Sequence, residues 1–256
     1  MHLDEKKFNL LNTDYPIGYI NDFLDLHTSQ NLREEIENFS SFDDLVMNGR
    51  RRVNKGSNKF NEYLKNYPNI SNLYNQFNSE DVYERFKELL LNDKTKNIWR
   101  PLLKKAKFSK ESYGEQKFNL LKHLRKKKFI SQFFPETLNL DMDFSKSEFG
   151  YFRKAHRDRE TRVISFLIYL NTIDEKQGGS FEVYKSENGK KDLGRFPDAL
   201  HVKKTHSFPP KAGQLFIFLS SPNSYHGVSK FLSKETFRTF IYGSYSLDRE
   251  VEWKII

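Results

Sequence analysis

Gly150-Tyr-Phe-Arg-Lys-Ala-His156-Arg-Asp158-Arg-Glu-Thr-Arg162-Val-Ile-Ser-Phe-Leu-Ile-Tyr169-Leu-Asn171 is the stretch on which the fold turns. Val163 to Asn171 is nearly all apolar, β-branched or aromatic, which makes it a central strand rather than a surface element. Immediately before it, the strand expected over Phe149 to Lys154 ends at a turn carrying His156 and Asp158. These two lie two positions apart and so can point the same way.

Upstream, Leu138, Leu140, Met142 and Phe144 alternate with Asn139, Asp141 and Asp143, the period-2 pattern of a strand with one apolar face. Downstream, Gly178-Gly179 turns the chain into Ser180 to Tyr184. Leu215 to Leu219, Tyr225 to Val228 and Phe237 to Tyr245 are further strands, punctuated by Pro209-Pro210 and Ala212-Gly213. Many short strands with turn signals between them imply a sandwich or a barrel. Glu182 to Phe208 reads as a long basic connection, a candidate lid that closes on substrate.

The first half reads as mostly helical. Thr28 or Ser29 can cap a helix over Leu32 to Phe39. Ser79 can cap another, with Val82, Phe86, Leu89 and Leu90 at helical spacing. Two more are expected over Ile98 to Ala106, with Pro101 in the first turn, and over Gln116 to Phe129, whose basic C-terminal end complements the helix dipole. The chain divides on this reading into a helical region, 1–134, packing on a β core, 135–256.

Composition narrows the function classes. The chain has 256 residues, 37% hydrophobic and 30% charged, and its 24 Phe, 13 Tyr and 2 Trp can build a substantial core beneath a polar surface. A net charge of +9 reflects an anionic partner or a mutational bias, since the chain is heavy in Lys, Asn, Phe and Ile at the expense of Ala and Gly. The basic residues are scattered, and the dense runs Arg50-Arg51-Arg52 and Arg125-Lys126-Lys127-Lys128 read as solvated faces. The absence of cysteine excludes disulfides and thiolate metal sites and fits a cytoplasmic protein. The segment from Met1 to Lys7 is polar, and Val163 to Leu170 is too short to span a bilayer, so no membrane partner is expected.

Outward from His156 and Asp158, His226 follows Asp158 by 68 positions and Arg238 follows His226 by 12. A lone histidine is more often a packed or surface residue than a ligand; what counts here is the set. Two histidines and a carboxylate are the donors with which a non-haem Fe(II) oxygenase holds its metal on one face and leaves other positions open. An arginine on a strand soon after the last ligand suits the far carboxylate of a 2-oxo diacid.

With these residues in place, the chain resembles the Fe(II)/2-oxoglutarate-dependent dioxygenases, in particular their prolyl-4-hydroxylase-like branch. The resemblance is carried by Gly150 to Asp158, by Arg162 to Asn171 with its Tyr-Leu-Asn end, by Gly178-Gly179-Ser-Phe, by Pro210-Lys-Ala-Gly213-Gln-Leu-Phe-Ile-Phe218, and by His226-Gly-Val-Ser229 followed by Arg238. It spans about residues 138–247. It implies an α+β, mainly β fold: a double-stranded β-helix (jelly-roll, cupin-like) barrel on a helical N-terminal support. It also implies that His156, Asp158 and His226 ligate Fe(II), that Arg238 holds the C5 carboxylate of 2-oxoglutarate, and that the Tyr169 hydroxyl assists Arg238.

The cofactors implied are Fe(II), 2-oxoglutarate and O2, with ascorbate as an auxiliary. The reaction implied is hydroxylation of a C–H bond in a peptidyl (prolyl-type) or small-molecule substrate, with release of succinate and CO2. Asp158 favours hydroxylation over halogenation, because halogenating relatives carry a small residue there. Ser244 stands where nucleic-acid demethylases carry a second arginine, so nucleic acid is not the expected partner. Ser147 stands where the family often has a tyrosine, which puts one cosubstrate contact in doubt. His2, His27, His123, His201 and His206 read as surface or loop residues, and Arg153 and Arg157 as weaker candidates for substrate contact. The competing reading is a non-catalytic barrel that binds an anionic partner.

Overall fold

The computed structural model describes residues 3, 7–46, 49–54, 57–91, 107–110, 137–187 and 193–247. The helices expected over Ile98 to Ala106 and Gln116 to Phe129, the basic run 125–128, and His2 and His123 lie outside the described residues. Seventeen elements are described, in the order β1 (Asn9–Leu10), β2 (Ile17–Ile20), α1 (Leu26–Asn38), β3 (Asp43–Val46), β4 (Arg50–Asn54), α2 (Asn58–Asn66), α3 (Pro68–Phe77), α4 (Glu80–Leu90), β5 (Lys107–Phe108), β6 (Thr137–Ser147), β7 (Arg153–His156), β8 (Arg162–Tyr169), β9 (Phe181–Ser186), β10 (Val202–Phe208), β11 (Leu215–Leu219), β12 (His226–Val228) and β13 (Arg238–Leu247).

The strands form two sheets. The larger has the order β1-β2-β11-β8-β13-β6-β4-β3, with β5 added parallel to β6; the smaller has the order β10-β9-β12-β7. The sheets face each other as the jelly-roll expectation requires, and side-chain alternation shows why the larger one is apolar on both faces. On its outer face Leu140, Phe144, Phe166, Ile217 and Ile241 pack against Leu32, Ile70, Phe77 and Phe86 of the helices. On its inner face Leu167, Tyr169, Phe216, Phe218 and Phe240 meet Phe181 and Val183 of the smaller sheet. Strand β8 lies between these two cores, so every residue from Val163 to Tyr169 is buried. Among the described residues no helix is long and apolar enough to cross a membrane.

Several local expectations need correction. The N-terminal half is not only helical: β2 pairs with β11 and β4 pairs with β6, extending the larger sheet on both sides. The four-residue β2 is too short to show a period, and the charge of Arg50-Arg51-Arg52 hides β4. Helix α1 begins at Leu26, because Asp25 accepts a hydrogen bond from the Thr28 N–H (2.7 Å) and acts as the cap, leaving Ser29 buried in the first turn. Helices α2 and α3 were not anticipated; Ser57 caps the first and Pro68 opens the second. Ser79 caps α4 as expected.

The strand expected over Phe149 to Lys154 starts later. Gly150 turns the chain with φ +89°, and β7 runs from Arg153 to His156, so His156 ends the strand instead of following it. Much of the expected lid is a β-hairpin: β9 and β10 pair from Phe181 opposite Phe208 to Ser186 opposite Val202. Strand β10 is the edge of its sheet, and its exposed Lys203, Lys204 and Ser207 give it the polar sequence of a connection.

Phe144 ties α2 to the larger sheet, with ring centroids 5.7 Å from Phe60 and 5.4 Å from Tyr63. Phe144→Ala is expected to lower stability by about 3–5 kcal/mol. Urea unfolding checks this, and an unshifted midpoint would show that α2 does not depend on the contact.

Candidate active site

Strands β7 and β12 pair across a bulge. His226 stands opposite His156 and Val228 opposite Arg153, so two steps on β12 match three on β7. The extra residue lets Arg153 and His156 both line one cavity despite their odd spacing. The two histidine rings lie 4.4 Å apart between centroids. Asp158 follows two residues after β7, and its Oδ1 is 4.0 Å from His226 Nε2. Ligand atoms of His156, Asp158 and His226 all lie within 4.8 Å of one another, and all three residues are buried.

Each histidine is held by its own backbone neighbourhood. His156 Nδ1 is 2.9 Å from the Lys154 carbonyl and His226 Nδ1 is 3.0 Å from the Ser224 carbonyl. A carbonyl only accepts, so the proton sits on Nδ1 and each Nε2 keeps a lone pair for a metal. Burial holds both imidazoles below the usual histidine range, and for His156 the charge of Arg153 pushes the same way. Both are therefore neutral, as ligation requires. At Asp158, burial would raise the carboxyl pKa, but the Arg162 guanidinium, helped by the Ser165 hydroxyl, holds it well below the usual carboxylate range. Its Oδ2 accepts from the Ser165 and Tyr242 hydroxyls (2.6 Å each). Its Oδ1 accepts from Arg162 Nη1 (3.0 Å).

Arg238 is 1% exposed. Its Nε donates to the Gly179 carbonyl (2.7 Å) and its Nη2 to the Tyr169 hydroxyl (2.8 Å). The rings of Phe240 and Tyr169 lie 4.3 and 4.9 Å from its Cζ. Its Nη1 is buried and has no hydrogen-bond partner among the described residues. A buried, unpaired guanidinium nitrogen is costly unless an anion completes it. The residues thus fit a metal beside a carboxylate-bearing ligand. Gly179 is part of the fit: its φ is +73°, and a Cβ there would lie 2.9 Å from Arg238 Cδ.

Residues 142–243 match the family model described as the 2OG-Fe(II) oxygenase superfamily. The chain carries a 2OG-Fe(II) oxygenase domain. Such enzymes use Fe(II), 2-oxoglutarate and O2, and the protein is a dioxygenase of this class. No curated protein matches it in sequence. Among solved structures it is similar to a Phytophthora capsici prolyl 4-hydroxylase (14% identity, TM-score 0.52, covering 90% of this chain and 58% of that one). It is also similar to a Pseudomonas putida prolyl-4-hydroxylase (15%, TM-score 0.44, 91% and 93%). A third is a Trichoplax adhaerens prolyl hydroxylase in complex with a hypoxia inducible factor peptide fragment (16%, TM-score 0.46, 90% and 83%). At these identities the likeness is one of fold.

Of the five residues singled out from sequence, His156, Asp158, His226 and Arg238 line the cavity, and Tyr169 bonds to Arg238 behind its lining. Of the two weaker candidates, Arg153 lines the cavity, whereas Arg157 pairs with Glu160 (3.4 Å) outside it. His27 is exposed, and His201 and His206 are partly exposed on the hairpin side; none of the three lines the cavity. Ser147, where a tyrosine was expected, donates to the Arg238 carbonyl at 3.4 Å, while the Tyr151 ring lies 5.9 Å from the guanidinium.

Sequence reading missed Arg162, Ser165 and Tyr242, the donors to Asp158. Arg162 and Ser165 lie inside the quoted strand. Tyr242 shares a strand face with Arg238 and Phe240, which was the available signal. Arg50 was also missed: far from being solvated, it is buried, paired with Asp143 and bonded to Ser145 Oγ (2.8 Å).

Tyr242→Phe keeps the ring but leaves Asp158 Oδ2 with one donor. Metal affinity is expected to fall about 10- to 100-fold. Equilibrium titration with Co(II) measures this, and an unchanged affinity would remove Tyr242 from the support of the site.

Proposed function

We propose that the protein hydroxylates a C–H bond of a small-molecule or peptidyl substrate. In this reading His156, Asp158 and His226 hold Fe(II), and Arg238 with Tyr169 holds the far carboxylate of 2-oxoglutarate. The observation that carries the reading is the unpaired, buried Nη1 of Arg238 in the same cavity as three converging metal-ligand side chains. Bound there, iron and 2-oxoglutarate supply an oxidant strong enough for an unactivated C–H bond, and 2-oxoglutarate leaves as succinate and CO2.

The chain's own residues bind, orient and exclude water. The Lys154 and Ser224 carbonyls fix the imidazole tautomers, and Arg162, Ser165 and Tyr242 keep Asp158 ionised and aimed. The Gly179 carbonyl and the Tyr169 hydroxyl set the guanidinium plane, so that a carboxylate meets a prealigned donor. Phe218 and Phe181 pack at 4.8 and 5.9 Å from the His226 ring and keep water from that side. A non-catalytic anion-binding barrel would need neither the metal-ligand set nor its dedicated hydrogen bonds.

Anaerobic titration of the metal-free protein with Fe(II) and 2-oxoglutarate tests the assignment. The visible charge-transfer band of the chelate is expected in the wild type and lost in His226→Ala. Arg238→Ala is expected to require roughly 10- to 100-fold more 2-oxoglutarate to develop it, the cost of a lost charged hydrogen bond. A folded wild-type sample without a band would overturn the reading.

A further inference from the structure

The cavity that holds the site has a volume of about 330 Å³, and among the described residues it is lined by seven arginines and three aspartates. Most of the arginines have an assigned partner. Arg50 pairs with Asp143, with Arg52 3.9 Å from the same carboxylate; Arg162 pairs with Asp158 (3.0 Å) and Asp141 (3.8 Å). Arg238 has its own role. Arg153, Arg159 and Arg195 remain, and none of them pairs with a carboxylate among the described residues. Glu160, close in sequence, pairs with Arg157 instead. The Nε atoms of Arg153 and Arg195 are buried without a partner among the described residues.

These arginines are built into the site. The bulge on β7 places Arg153 in the same cavity as His156. Arg195 lies on a segment stitched to both stretches that carry the histidines: its carbonyl accepts from the Arg157 N–H (3.0 Å), while the Tyr225 hydroxyl accepts from the Leu193 N–H (2.9 Å) and donates to the Gly194 carbonyl (3.1 Å). Phe196, 63% exposed, stacks at 6.3 Å on His156 and carries the Arg195 guanidinium at 5.1 Å. Burial holds Arg195 below the usual guanidinium range, and the like charges of Arg159 and Arg153 add to it, so the cluster is short of anions. Loading does not cure this, because the charges of Fe(II) and the 2-oxoglutarate dianion cancel.

We infer that the substrate is a phosphorylated small molecule whose phosphate seats on Arg153, Arg159 and Arg195, leaving its reactive C–H facing the metal. This rests on the reading that the cavity holds Fe(II) and 2-oxoglutarate. One carboxylate satisfies one guanidinium fork, whereas three forks match the several oxygens of a phosphate. The volume, at the low end of the roughly 300–1,000 Å³ of small-molecule sites, favours a compact substrate over a polymer.

The test uses inorganic phosphate, titrated calorimetrically into the anaerobic complex of the full chain with Fe(II) and saturating 2-oxoglutarate, so that the metal and Arg238 are already engaged. Phosphate is expected to bind the wild type and to bind Arg153→Gln and Arg195→Gln each about tenfold more weakly, the effect of one lost charged hydrogen bond. Arg159→Gln, at an exposed position that tolerates the change, is expected to weaken binding in the same direction. Lys211→Gln, exposed and paired with Asp22, should leave it unchanged. The chelate band should persist in all four variants.

Equal phosphate affinity in the wild type and the arginine variants, or no binding to the wild type, overturns the inference. So does a glutamate-rich peptide that binds through these arginines more tightly than phosphate, because the substrate would then be peptidyl. If the chelate band itself never forms, the cofactor reading fails separately, and the same titration on the metal-free protein still decides the arginine site.

Discussion

A carboxylate buried between two sheets stays ionised only if the fold brings it enough donors, and the architecture of this site follows from meeting that condition at Asp158. Ser165 and Arg162 come from β8, Tyr242 comes from β13, and Asp158 itself follows β7 of the opposite sheet. The three hydrogen bonds therefore join the sheets as well as stabilising a charge. Were any of these donors absent, more of the desolvation cost of the anion would go uncompensated.

From that junction the two sheets take different parts. The smaller sheet supplies both histidines as a directly opposed pair on β7 and β12. The larger sheet supplies Arg238 and Tyr169, together with the support of Asp158, from its two central strands. Four helices pack on the back of the larger sheet, and the Tyr245 hydroxyl binds the Phe77 carbonyl (2.7 Å) at the end of α3. A strand covered on both faces has little freedom to shift, which is what a site needing sub-ångström placement of a guanidinium requires.

The inner face of the larger sheet is unusual in its charge. On β4 and β6 the cations and anions neutralise each other, with Arg50 locked onto Asp143 and lying 5.0 Å from the Phe240 ring beside the Arg238 position. Across the cavity, near the histidines, Arg153, Arg159 and Arg195 pair with no carboxylate among the described residues. Asymmetry of this kind orients a polar ligand: one wall is already satisfied, and the other retains its full attraction for an anion.

The sequence by itself was enough for the β core and for naming His156, Asp158 and His226, the candidate ligands whose side chains converge in the structure. The alternation on β6, the unbroken apolar run of β8 and the glycine turn before β9 are local properties, each written in consecutive residues. The spacing of His156, Asp158, His226 and Arg238 survives in one dimension because each lies at or near a strand end. Tertiary structure decided the rest. The β7 bulge exists only through pairing with β12; β4 is a strand because β6 and β3 pair with it; and β10 is polar because its face is exposed. Tyr242, Arg50, Arg153 and Arg195 acquire their meaning from partners, or from the lack of them, on elements far away in the chain. Hydrogen bonds and charges act through space, so a side chain whose role depends on what lies opposite leaves little trace in its own neighbourhood of the sequence.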